Sequence, residues 1–121
     1  MLRDAPGRVL RASATNLPFR DGAFDGATAL WMLYHLEDPA AGIREACRVL
    51  RPVGLFAACA PSRDDAPELK GLVEPHPRMT FDAEIAPRLI GEVFDDPEVV
   101  SWDRPLYQLP DEHALRDYLQ G

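Results

Sequence analysis

The stretch Leu55-Phe56-Ala57-Ala58-Cys59-Ala60 is six consecutive residues without a polar side chain. It follows directly on an amphipathic helical pattern. A short, wholly apolar run in that place reads as a strand covered on both faces, as in a parallel sheet. The helix ahead of it has a clear start. Asp38 suits the N-cap and Pro39 the first helical position. Ile43, Ala46, Cys47 and Leu50 recur at i, i+3, i+4 and i+7 and form one apolar stripe. Arg44, Glu45, Arg48 and Arg51 fall mostly off that stripe. Pro52 and Gly54 are expected to end the helix.

The same reasoning places the other elements. Arg8–Ala12 is a short strand candidate. Asp21-Gly22 makes a turn, and Phe24–Leu30 runs on as a strand of mostly small and apolar residues. Phe81–Phe94 reads as an amphipathic helix with Ile85, Leu89 and Val93 on its apolar face. Asp82 or Thr80 is its cap, and Pro87 fits only near its first turns or at a kink. Glu98–Trp102 reads as a strand. Pro110–Leu119 reads as a last helix, with Asp111 and Glu112 placed to suit the helix dipole. Prolines at 61, 67, 75, 77 and 87 break the region between, so Pro61–Met79 is expected to be a long loop. Strands alternating with helices make an α/β layered domain with at least partly parallel strands.

Composition sets the outer bounds. A chain of 121 residues fits one domain over 1–121, near the usual size of roughly 100–150 residues. The net charge of −7 is concentrated in residues 61–121, where six bases meet fourteen acids. That balance speaks against nucleic-acid partners. No apolar run approaches the roughly 20 residues that span a bilayer, and the polar start Leu2–Gly7 is no signal peptide. The expectation is a soluble, cytoplasmic protein. Cys47 and Cys59 form neither a disulfide framework nor a metal signature and read as two small buried hydrophobes.

Three stretches occur in order between residues 9 and 61. Ala14–Asp25 contains Leu17-Pro18-Phe19, then the Asp21-Gly22 turn, then Phe24-Asp25. Tyr34-His35-Leu36-Glu37-Asp38-Pro39 follows. Arg44-Glu45-Ala46-Cys47-Arg48-Val49-Leu50-Arg51-Pro52 closes the series. Together they resemble the second half of class I S-adenosylmethionine-dependent methyltransferases of the type 11 family. The resemblance implies a partial Rossmann-like sheet, from the family's third strand onward, with flanking helices. It also implies S-adenosylmethionine as cofactor, a small-molecule methyl acceptor as substrate, and direct transfer of the methyl group. Ser13 and Ala14 are then expected to flank the adenine, and Leu30 and Trp31 to line the pocket. His35 becomes the candidate to orient or deprotonate the acceptor. In an open α/β sheet ligands bind beyond the carboxyl ends of the strands, where both segments fall. Trp31, Met32 and Tyr34 offer a bulky wall suited to an aromatic or sulfonium group.

The sequence departs from the family in named places. Its eight glycines never come within three positions of each other, so there is no glycine-rich cofactor loop. The acid often found just after the third strand is Ser13 here. The family's Pro-Gly-Gly reads Pro52-Val53-Gly54; a positive φ at Val53 would cost about 1–3 kcal/mol. Two strands of the family's sheet are expected to be missing, which leaves a gap of roughly 14 Å between the flanking strands. The chain must close that gap, leave its N-terminal segment loose, or borrow strands from a second copy or an N-terminal partner chain. The expectation is thus a fragment of an enzyme, a mis-started reading frame or a decayed relative. The alternative is a non-catalytic remnant that uses its open sheet edge for interaction.

Single residues keep a second reading. His35 is a general-base candidate or a histidine packed on Tyr34 at a helix start. His35, Glu37 and Asp38 match no common metal spacing, so no metal is expected. Asp25 reads as structural. His76 is a rigid loop residue, facing substrate or solvent, and His113 belongs to the surface. Trp102 and Tyr107 read as core.

Overall fold

The computed structural model describes residues 6–72, 79–104 and 108–120. Strand β1, Phe24–Leu30, leads through a 3-10 turn at Leu33–His35 into helix α1, Pro39–Val49. Strand β2, Leu50–Cys59, follows without a break and pairs parallel to β1. Helix α2 spans Ala86–Gly91 and helix α3 spans Glu112–Gln120. The architecture is α/β with a two-stranded parallel sheet, as expected.

Helix α1 starts as its sequence dictates. Asp38 Oδ1 accepts the Ala41 N–H at 3.2 Å and Pro39 opens the first turn. Pro39, Gly42, Ile43, Ala46 and Val49 are buried along one stripe. The helix ends at Val49, however, ahead of Pro52, and Leu50 already pairs with Phe24. The pairing then slips, so that Gly26 faces Leu55. Pro52-Val53-Gly54 lies in this irregularity, where a missing N–H is tolerated. Val53 does not adopt a positive φ. The special position is Gly54, whose added Cβ would lie 3.0 Å from the carbonyl oxygens of both Arg51 and Asp25.

The core lies on one face of the sheet. Ala29, Leu33, Ile43 and Phe81 form its buried centre. Phe56, Ala58, Leu89, Ile90, Val93 and Phe94 pack around them. The Phe56 and Phe94 rings stack with centroids 5.1 Å apart. The opposite face is bare: Val53 is 91% exposed, Leu55 74% and Leu30 59%. The expectation of a strand covered on both faces therefore fails. An all-apolar run permits burial of either face, and only one receives helices.

Further expectations change. Arg8–Ala12 forms no strand; Val9 and Leu10 are exposed. Glu98–Trp102 also forms no strand, and Val99, Val100 and Trp102 are exposed, so Trp102 is not core. Phe81–Phe94 shortens to α2, with Pro87 in its first turn. Its lead-in is held by Asp82, whose Oδ1 accepts from the Glu84 and Ile85 N–H groups. Cys47 and Cys59 are free and only half buried. His76 and Tyr107 lie outside the described residues.

Candidate functional site

Two segments lie near Gly42 in the N-terminal half of α1. One is the tight turn Ser13–Asn16. Its Asn16 N–H donates to Ser13 O at 3.1 Å, and Ser13 Oγ lies 3.0 Å from Thr15 Oγ1. The other is Trp31–Leu36, which leaves the carboxyl end of β1. Gly42 is their common neighbour. A Cβ there would lie 4.0 Å from Ala14 O, 3.5 Å from a Leu33 methyl and 2.6 Å from a Leu36 methyl. Only the Leu36 methyl needs the missing side chain; Leu33 and Ala14 lie at ordinary contact distance.

Trp31 is the strained residue of this group. Its φ is +53°, a conformation that costs a bulky side chain about 1–3 kcal/mol. Its N–H is nevertheless held, donating to Cys59 O at 3.0 Å, one step beyond the last strand pair. The chain turns sharply there and leaves the Trp31 side chain 45% exposed. Backbone strain held in place by neighbouring structure is often found at ligand clamps. His35 is exposed and packs on Tyr34 with ring centroids 4.4 Å apart, so its second reading describes its setting.

A polar brace closes the side beyond Tyr34. Thr80 Oγ1 donates to Leu36 O at 2.7 Å. Asp82, buried, pairs with Arg63 at 3.1 Å. Glu84 accepts from the Ser62 hydroxyl and, at 3.0 Å, from the Arg63 N–H. These bonds, led by the Ser62 hydroxyl, lower the Glu84 pKa to about 2. Among the described residues no group of three or more His, Cys, Asp or Glu could hold a metal ion, and no helix is long and apolar enough to cross a membrane.

Residues 2–58 match the family described as methyltransferase domain. The demethylmenaquinone methyltransferase of Mycolicibacterium vanbaalenii is 44% identical over 57 residues, covering 47% of this chain and 24% of the relative. That of Clavibacter sepedonicus is 27% identical over 113 residues, covering 93% of this chain and 44% of the relative. A solved SAM-dependent methyltransferase from Thermotoga maritima, described as a possible histamine N-methyltransferase, is 26% identical. It superposes with a TM-score of 0.55 over 71% of this chain and 44% of its own. The chain thus spans less than half the length of each of these proteins. Its fold is the corresponding part of a class I, Rossmann-like methyltransferase domain.

Of the residues singled out in the sequence, Ser13 and Ala14 lie in the Ser13–Asn16 turn, Leu30 ends β1, and Trp31 and His35 lie in the segment that follows it. Trp31's positive φ had no sequence signal, since only glycine advertises that conformation. Arg48 shows in the sequence only as a residue off the apolar stripe of α1. Its spacing from Glu45, i to i+3, was visible; the loop that it holds was not.

Proposed function

We propose that this chain contributes the nucleoside-facing and acceptor-facing half of an S-adenosylmethionine-dependent methyltransferase acting on a small molecule. The observation that carries the proposal is that the Ser13–Asn16 turn and the strained Trp31 segment both lie near Gly42, beyond the carboxyl end of β1. The residues fit the nucleoside end of the cofactor. The turn offers hydroxyl and amide groups, and Trp31 offers an exposed indole. The cofactor's amino-acid end has no counterpart in the sequence, which lacks a glycine-rich loop.

The cofactor supplies a sulfonium-activated methyl carbon for in-line displacement. Ser13 and Ala14 flank its adenine in this reading. Leu30 and Trp31 line the pocket and keep water from it, and the face of an indole favours cationic groups. His35 orients the acceptor or takes its proton. The relatives named demethylmenaquinone methyltransferases support a small-molecule acceptor. A cytoplasmic setting, with no nucleic-acid or membrane partner, belongs to the same reading.

A second reading is favoured by the bare sheet face around Leu55. There the segment would be non-catalytic and would pair through its open edge with a second copy or an N-terminal partner chain. An NMR titration of the 121-residue chain with S-adenosylhomocysteine, adenosine and methionine separates the two. A grip on the nucleoside end alone predicts saturable binding of the first two, with similar Kd values on the order of 0.1–1 mM, or about −4 to −5.5 kcal/mol. Methionine should not bind. A folded chain that binds neither nucleoside rejects the enzymatic reading.

A further inference from the structure

The guanidinium of Arg48 is fully committed. It has five N–H donors in a planar fork, and five acceptors meet them. Nε donates to Glu45 Oε1 at 2.7 Å. Nη1 donates to Phe19 O and to Asp21 Oδ1, both at 2.8 Å. Nη2 donates to Leu17 O and to Glu45 Oε2, both at 3.0 Å. Glu45 Oε2 also accepts the Leu17 N–H at 2.8 Å, and the Gly22 N–H donates to Arg48 O at 2.9 Å.

These bonds tie residues 17–22 along α1. The loop lies by Gly42 at Ala14 and reaches Arg48 at Leu17–Gly22, where it feeds into β1. The turn at Ser13–Asn16 is otherwise held by short-range bonds within itself. Its place on the helix is therefore set by the anchorage that begins at Leu17. The Arg48 hydrogen bond first, then that of the Leu17 N–H, keeps Glu45 ionised with a pKa of about 2, so the pair stays charged at neutral pH. No donor of Arg48 is left over for a substrate anion.

We propose that Arg48, with Glu45, is a positioning residue for the nucleoside-binding turn: it fixes where Ser13 and Ala14 stand without touching the ligand. This rests on the functional reading above. The fork geometry, and not the charge alone, is what the carbonyls of Leu17 and Phe19 require. Lysine keeps the charge but presents three donors around a single nitrogen.

The test compares wild-type chain, Arg48→Lys and Glu45→Ala, with S-adenosylhomocysteine as the probe. Amide exchange is followed residue by residue. Both variants are expected to weaken binding about fivefold or more, a size consistent with small misplacements of supporting groups. Exchange should rise at residues 15–19 and stay unchanged in α1 and β2. Glu45→Ala keeps a good helix former in α1, so it remains informative if Arg48→Lys disturbs folding. Wild-type affinity in a folded variant with a loosened loop overturns the positioning role and leaves the functional reading standing. Absence of binding by the wild-type chain overturns that reading and this inference together.

Discussion

The two faces of the β1–β2 sheet differ more than their residues do. One presents Ala27, Ala29, Phe56 and Ala58; the other presents Thr28, Leu30, Leu55 and Ala57. Both sets are largely apolar. The first lies under α1 and the segment around α2, and its neighbours Ile43 and Phe81 are fully buried. Among the described residues nothing covers the second, and Leu55 is 74% exposed. Burial, not composition, makes a face a core. Each large side chain buried on the covered face contributes about 1.5–3 kcal/mol, while the bare face contributes little.

Substitutions can break or sharpen that contrast. Phe81→Ala should have the largest effect, a loss of about 3–5 kcal/mol in denaturant unfolding, because it opens a cavity at the centre of the covered face. A loss below about 1 kcal/mol would mean the core is not tightly closed there. Gly54→Ala should cost about 1–3 kcal/mol, since two backbone carbonyls crowd the new methyl where the sheet slips register.

Acid should act next. The Glu45 and Glu84 carboxyls sit at about 2 against an ordinary 4.5, and both shifts favour the charged form. Their stabilisation is complete above about pH 4.5 and is lost as pH falls towards 2. The melting temperature should fall across that window, and a Glu45→Ala, Glu84→Ala double variant should show a shallower fall. Leu55→Ser on the bare face should have the smallest effect, within about 0.5 kcal/mol. A loss of several kcal/mol would show that this face is covered in solution by another copy of the chain.

Much of the covered half was legible. Asp38 and Pro39 marked the start of α1, and the stripe through Ile43 and Ala46 faced the core as its period required. The last helix was legible too, although α3 starts at Glu112 and Asp111, expected in the first turn, precedes it with its Oδ1 accepting the Ala114 N–H at 2.8 Å. Strand β2 was legible as a strand but not as one with a bare face, because a run without polar residues carries no period. Glu98–Trp102 misled for a related reason. Val99 and Val100 have β-forming side chains, yet a strand needs a neighbour to accept its hydrogen bonds.

The site divides in the same way. Its two segments could be placed from the Leu17-Pro18-Phe19 and Tyr34–Pro39 stretches. The strain at Trp31 could not, nor could the five-bond anchorage of Arg48. That anchorage joins α1 to carbonyls 29 and 31 residues earlier in the chain. Backbone acceptors carry no residue-type signal, so no reading of side chains alone reveals such a contact.

The most direct test of the account is a residue-resolved amide map of the chain with saturating S-adenosylhomocysteine. The account predicts changes confined to residues 13–17 and 29–36, the two segments near Gly42. Changes centred on α3 or on the bare face around Leu55, with residues 13–17 unaffected, would contradict it.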